Sequence, residues 1–160
     1  MSGDSGYTVV PFAESHIPEA AEIEALCFSD PWSANALRFL LPSDSVAAFT
    51  CIDEATGRVC AYCGMSYVLD EGEIVNVAVH PDYRRRGYAR AVLGALFRFA
   101  DAHGIRHLVL EVRASNVAAQ ALYRSLGFTE VGIMPAYYVK PVENACVMAL
   151  ERTENEDSGD

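Results

Sequence analysis

Positive charge is what this sequence is short of. Twelve Lys and Arg stand against twenty-two Asp and Glu, a formal charge of -10 at pH 7. That balance argues against non-specific nucleic-acid binding, which rests on neutralising phosphates, and suits a basic partner instead. Long apolar runs are also missing, so nothing in the sequence is expected to span a bilayer. The start, MSGDSGYTVVPF, has neither the basic n-region nor the apolar h-region of an export signal. The expectation is a cytoplasmic protein with no membrane partner and no direct nucleic-acid partner.

Cysteine offers no framework. Five residues, at 27, 51, 60, 63 and 146, are odd in number and scattered. Cys60-Ala61-Tyr62-Cys63 does match C-x-x-C. It lies in a strand-like run, where residues three apart face opposite ways. No second pair completes a zinc site, and no helix start follows to activate a thiolate. The match reads as coincidence and no metal is expected. A G-x-x-x-x-G-K-[ST] phosphate loop, an internal repeat and an interdomain linker are equally absent.

What is present is a chain of 160 residues with an ordinary globular balance, 51% hydrophobic and 21% charged, which is most simply one domain. The domain is expected to span residues 1–150. Residues 151–160 read as an acidic, disordered tail.

The most informative stretch runs from Ile74 to Gly104. Ile74 to Val79 is apolar and β-branched, which suits a buried strand. His80-Pro81-Asp82 stops it, because proline removes a ladder donor. Arg84, Arg85, Arg86 and Arg90 follow, with Gly87 and Ala89 among them. Val92, Leu93, Leu96, Phe97 and Ala100 then recur at helical spacing, and Gly104 sits where a C-terminal cap belongs. A helix start carries unpaired N–H groups and a partial positive charge. Small residues there let an oxygen-rich ligand approach the backbone, and arginines add forked donors. One arginine would read as a solvated turn; four in an acidic chain read as a phosphate cradle. A dinucleotide fingerprint would need further glycines and a tighter turn, although Glu111 sits where its ribose ligand would fall.

The remaining chain reads in order as follows. Tyr7 to Val10 is an edge-type strand ended by Pro11. Ser15 caps a helix carrying Ile17, Ala20, Ala21, Ile23, Leu26 and Cys27. Ser33 caps a second helix, with Trp32 and Leu37 placed as a hydrophobic staple and Pro42 closing it. Val46 to Ile52 and Val59 to Leu69 form strands joined at Gly57, and Glu71-Gly72 turns the chain into the Ile74 strand. Ile105 to Val112 is a further strand, reached across a helix and so parallel to its predecessor. Ser115 or Asn116 caps a helix that ends at Gly127. Phe128 to Ile133 and Ala145 to Glu151 form a closing hairpin around a long loop from Met134 to Asn144.

Val77-Ala78-Val79 followed by Arg85-Arg86-Gly87-Tyr88-Ala89-Arg90 resembles the acetyl-coenzyme A signature of the GNAT N-acetyltransferase superfamily, an Arg/Gln-x-x-Gly-x-Gly/Ala loop. The resemblance implies that the loop amides bind the coenzyme pyrophosphate and that the preceding strand pairs with the pantetheine arm. The element order fits as well. It implies an α/β (α+β) fold, a mixed, mostly antiparallel twisted sheet of about seven strands flanked by about four helices.

Glu111 is a carboxylate in an otherwise apolar LVLEV run. On pattern alone it reads equally as a strand-end residue paired with Arg113 or facing water, and as a general base in a desolvated cleft. Asn116 and Tyr123 are seven residues apart, nearly two helical turns, and so share a face. Each alone reads as a cap and a core aromatic; together with Glu111 they gather at one edge. The run LEVRASNVAAQALYRSLGF resembles the RimI-type branch of the family, the ribosomal-protein-alanine N-acetyltransferases. The resemblance implies a proton acceptor at Glu111, a proton donor at Tyr123 and a coenzyme contact at Asn116. Phe28 to Ser33, with Trp32, and the pair Tyr137-Tyr138 resemble that branch's acceptor groove. Met134-Pro135-Ala136 departs from it, where relatives often carry a basic residue and an asparagine.

A peptide α-amine with a pKa near 7.8 is neutral in roughly a tenth of molecules at neutral pH, a few hundredfold more often than lysine. Modest help from Glu111 therefore suffices for an N-terminus. No cysteine nucleophile is required. The expected activity is transfer of acetyl from acetyl-coenzyme A to the N-terminal alanine of a basic ribosomal protein. Acetylation of another peptide, a lysine or a small amine, a non-catalytic coenzyme-binding module, and a ligand-free scaffold stand as alternatives.

Overall fold

The computed structural model describes residues 6–153. One seven-stranded sheet with the order β1-β2-β3-β4-β5-β7-β6 organises it. In chain order the elements are β1 (Tyr7–Pro11), α1 (Ile17–Cys27), α2 (Ala34–Leu37), β2 (Val46–Asp53), β3 (Val59–Val68) and β4 (Glu71–Val79). They continue with α3 (Tyr88–Ala102), β5 (His107–Arg113), α4 (Val117–Ser125), β6 (Thr129–Val139) and β7 (Val142–Glu151). All neighbours pair antiparallel except β4 and β5, which are parallel, as expected for strands joined by a helical crossover. The expected mixed, mostly antiparallel architecture is therefore what forms. No helix among the described residues is long and apolar enough to cross a membrane.

Two apolar clusters flank the sheet. On one face Val92, Leu93, Leu96 and Ala100 of α3 pack with Ile74, Leu108, Leu110 and Val112 of the sheet, and Tyr123 of α4 joins them. On the other, Ile17, Ala20 and Ile23 of α1 and Leu37 of α2 cover Ala48, Val59, Tyr62 and Ala78. This second layer reaches only β2, β3 and β4. The same face of β5 and β7 is left uncovered, and that omission makes room for a site.

Several local expectations shift. Ser15 does not cap α1. It lies inside a 3-10 turn, Glu14–His16, whose His16 Nδ1 accepts the Ala13 N–H at 3.0 Å. Ser33 does cap α2, accepting the Ala36 N–H at 3.0 Å. Leu26 is exposed rather than inward-facing, and Glu24 takes the buried position instead. Glu71 and Gly72 are not a turn but the start of β4; the turn is Leu69-Asp70, with Leu69 at φ 56°.

The loop expected from Met134 to Asn144 is mostly strand. β6 is the sheet edge, where Pro135 removes no needed ladder bond. A bulge between Met134 and Tyr138 absorbs Ala136 at φ 52°. The C-x-x-C pair also departs from strict alternation. A bulge opposite Cys51 and Ile52 leaves Cys60 unpaired, so Cys60 and Cys63 both join the cluster under α3. Each donates to a carbonyl, of Cys51 and Val92 respectively. Contact with Cys51 and burial push the Cys60 thiol up, and burial pushes Cys63 up to about 12, so neither is an activated nucleophile.

At the C-terminal end, Glu151 still belongs to β7. Arg152 grips Asp101 through a fork of 2.7 and 2.8 Å and lies over the Phe97 ring. The strand thus runs one residue past 150, and of the acidic stretch expected at 151–160, residues 154–160 lie outside the described residues.

Leu96 is fully buried in the α3 cluster. Leu96→Ala is expected to lower unfolding free energy by roughly 2–5 kcal/mol, read from urea titration. Val139→Ala on the exposed edge should change it by less than about 0.5 kcal/mol.

Candidate active site

The parallel pairing of β4 and β5 lasts only from Glu71↔His107 to Glu73↔Val109. Beyond it both strands continue, β4 to Val79 and β5 to Arg113, without pairing to each other. A bulge at Val75, opposite Gly64 and Met65, bends β4 where the parting begins. His80 N–H bonds Cys60 C=O at 2.9 Å. By ladder alternation, Ala78 therefore faces β3, while Val77 and Val79 turn their backbone groups toward the gap. Consistent with this, Val79 C=O accepts from the Cys27 thiol on the far side.

The basic loop closes one end of the gap. Arg85 and Gly87 both take left-handed backbone, at φ 67° and 83°. For Arg85 that conformation costs on the order of 1 kcal/mol or more and persists because its neighbours impose it. Gly87 is the N-cap of α3 and offers no side chain to cap it, so the first N–H groups, from Tyr88 onward, stay available to a ligand. A Cβ on Gly87 would meet nothing within 4 Å; its absence keeps the approach to those amides open. A cavity of about 430 Å³ lies over this start, lined by Val79, Arg85, Gly87, Tyr88, Ala89, Arg90 and, from α4, Leu122. Arg86 lies over the Tyr83 ring at 5.2 Å, and Arg90 donates to Ser125 Oγ.

Arg84 also lines this cavity, and its Nη2 reaches Cys27 Sγ at 3.3 Å. Sequence reasoning counted Arg84 among the arginines of the cradle but read the family signature only from Arg85 onward. The signal for Arg84 was present, because it stands three residues before Gly87, the motif's opening position.

The other end of the gap gathers carboxyls and phenols. Leu108, Leu110 and Val112 point to the α3 side, so Glu111 points to the uncovered face. Burial, then the charge of Glu73 and a hydrogen bond shared with it, push the Glu111 carboxyl up to about 7. Arg113 does not pair with Glu111. It forms an ion pair with Glu143 at 3.2 Å, donates to the carbonyls of Lys140 and Pro141, and lies 4.3 Å from the Tyr138 ring. Its Nη2 also reaches Ser29 Oγ, which itself donates to Lys140 C=O. Arg113 thereby fastens the β6–β7 turn to the segment between α1 and α2.

Tyr123 is 7% exposed, its ring 5.8 Å from that of Phe128. Burial, then Cys63 and Tyr138, hold its phenol above the ordinary range, so it keeps its proton at neutral pH. Tyr138 is pushed up to about 12 by burial, Tyr137 and Glu111. Tyr137 is raised by burial, then by Glu111 and Glu73. The two rings meet edge to face at 5.0 Å. The structure thus brings Glu111, Tyr123, Tyr137 and Tyr138 into one neighbourhood. Asn116 spends its Oδ1 on capping α4, accepting from Ala119 N–H at 3.1 Å. Trp32 packs beside the α1 cluster, its ring 6.3 Å from Phe39.

Glu73 escaped sequence reasoning. Its role depends on which β5 residue it faces, and only the parallel register shows that. A cavity of about 570 Å³ begins at Glu73 and runs along the uncovered face past Glu71, His107, Val109 and Glu151. Among the described residues no group of three or more His, Cys, Asp or Glu is placed to hold a metal ion. The Glu73–Glu111 contact has a measurable consequence. Glu73 bears negative charge and raises Glu111, so Glu73→Gln is expected to lower the pH at which Glu111 titrates. Carboxyl-carbon NMR reads that midpoint, and burial should keep it above an exposed glutamate's.

Comparison with known proteins identifies the family and the fold. The profile of the Acetyltransferase (GNAT) family matches residues 17–128. The chain is 36% identical over 154 residues to the ribosomal protein bS18-alanine N-acetyltransferase of Escherichia coli (strain K12), an alignment covering 89% of this chain and 96% of that one. The Salmonella typhimurium protein of the same name is 37% identical over 145 residues, with the same coverage. The crystal structure of the ribosomal-protein-S18-alanine N-acetyltransferase from Escherichia coli superposes with a TM-score of 0.84, covering 94% of this chain and 97% of that one. With the family profile spanning most of the sequence and the fold shared throughout, this chain belongs to the GNAT family of acetyl-coenzyme A-dependent N-acetyltransferases.

Proposed function

We propose that this enzyme transfers acetyl to the N-terminal α-amine, an alanine, of a small-subunit ribosomal protein. One observation carries the reading: a carboxyl poised at about 7 and a buried, protonated phenol flank the gap between β4 and β5. The relatives that act on ribosomal protein bS18 support the acceptor. The carboxylates of Glu71, Glu73 and Glu151 along the larger cavity suit a basic chain leading away from the reacting amine.

Acetyl-coenzyme A supplies the activated acetyl group, and the residues present fit it. The Tyr88, Ala89 and Arg90 amides and the Arg85 side chain line the cavity and suit its diphosphate, behind a Gly87 that leaves the backbone bare, while Arg86, over the Tyr83 ring, adds charge to the same loop. In the Val77-Ala78-Val79 run, the gap-facing backbone of Val77 and the Val79 N–H suit the pantetheine amides, Ala78 holding the run to β3, and Asn116 at the N-cap of α4 keeps its amide nitrogen for a further contact. Glu111 takes the proton of the acceptor ammonium, directly or through water. A base near 7 is matched to an α-amine whose own pKa lies near 7.8. The free amine then attacks the thioester carbonyl. The gap-facing N–H groups of Val77 and Val79 are placed to hold charge on its oxygen. Tyr123 gives its phenolic proton to the departing thiolate; the desolvation that raises the phenol raises the thiolate's basicity too. The tetrahedral nitrogen sheds its extra proton to solvent as the carbon–sulfur bond breaks, solvent later reprotonates Tyr123 and takes the proton from Glu111, and the sum is ammonium plus thioester giving amide, thiol and one proton. Trp32, Tyr137 and Tyr138 form the walls against which the acceptor lies.

A peptide beginning with alanine and followed by basic residues should gain one acetyl group at its α-amine, read by fragmentation mass spectrometry. An unmodified peptide rejects the assignment. Tyr123→Phe keeps the ring and removes the proton, so kcat should fall by about a hundredfold with the coenzyme KM nearly unchanged.

A further inference from the structure

The inner face of α1 is apolar at Ile17, Ala20 and Ile23, and then carries a carboxylate. Glu24 is 1% exposed, the only acid among the buried described residues. An unpaired charge there would be expensive, so its partners decide its purpose. Glu24 Oε1 accepts the Trp32 backbone N–H at 2.9 Å, and Oε2 accepts from Tyr62 OH and from Asn76 Nδ2. The donors come from three places: the irregular segment between α1 and α2, β3, and β4. Burial lifts the Glu24 carboxyl, while Tyr62 and Trp32 draw it back toward the charged form.

Glu24 is too deep to meet substrate, and no step of the acetyl transfer uses it. We propose that Glu24 is a positioning residue for the acceptor: it ties the Trp32 segment to the sheet beside the gap in β4, fixing one wall of the amine's approach. A leucine in its place would satisfy the helix pattern and fill the space, yet hold nothing. The segment's other anchor, Ser29 Oγ on Lys140 C=O, fastens it to the β6–β7 turn, which is itself part of the opposite wall. Arg113 of β5 also reaches Ser29 at the start of the segment, but Glu24 is what holds the Trp32 end, and it ties that end to β3 and β4. This inference rests on the reading that the Trp32 segment faces the acceptor.

The full chain contains a single tryptophan, so its fluorescence reports this segment alone. Glu24→Ala should raise acrylamide quenching of Trp32 and raise the KM for the alanine peptide by about tenfold, the loss of a hydrogen bond to a charged group. The coenzyme KM and kcat should stay within about twofold. Glu24→Gln retains an oxygen for the Trp32 N–H and should restore both readouts most of the way. Should the alanine variant fail to fold, Glu24→Leu takes its place. Quenching and acceptor KM equal to wild type, or a coenzyme KM rising in step with the acceptor KM, would overturn the proposal. A wild-type chain that acetylates no peptide would instead reject the acceptor assignment, while quenching still decides whether Glu24 holds the segment.

Discussion

Everything in this molecule turns on two parallel strands that pair for three residues and then part. A continuous sheet would have satisfied the backbone of Val77 and Val79 and buried Glu111 against a neighbour. Instead the bulge at Val75 bends β4 away, leaving a row of backbone donors and acceptors facing open space. Such groups are costly when buried without a partner. An extended ligand rich in amides satisfies them as a missing strand would. The parting also sets the separation between chemistry above and below the sheet, with Glu111 on one face and Tyr123 rising from the other.

The sheet divides charge as well as space. Arg84, Arg85, Arg86 and Arg90 cluster at the start of α3, a third of all the basic residues in an otherwise acidic chain. Glu71, Glu73, Glu111 and Glu151 lie on the uncovered face of the opposite end. The arginines suit the anionic coenzyme and the acidic face suits the proposed cationic acceptor, on different sides of the sheet. Glu111 gains its basicity first from burial and then from the charge of Glu73 and the hydrogen bond with it. Glu73 cannot be ionised beside Glu111 without holding its neighbour's proton more tightly.

Much of this was legible before the fold was known because it is local. The basic loop, the Ser33 and Asn116 caps and the placement of Glu111 and Tyr123 follow from spacing within single elements. What escaped depends on register. Glu73 matters only because Val109, and not another residue, lies opposite it. The facing of Cys60 and Cys63 depends on one extra residue in β3. Pro135 falls in the span read as loop, yet an edge strand tolerates a residue without a donor, and only the residues around Pro141 form a turn. Glu24 was hidden for the opposite reason: its helix position looks like an ordinary polar face, and only three distant donors reveal that it points inward.

The same edge has an effect beyond the site. β6 exposes Val131, Ile133 and Val139 along an unpaired rim, the sort of border on which a second sheet could grow. The kink at Ala136, with Pro135 beside it, interrupts that rim midway and turns its bonding groups out of line. A stacking neighbour would find two short, misaligned steps instead of a continuous rail. The distortion beside Tyr137 and Tyr138 thus also removes the straight edge along which copies of the chain would pair.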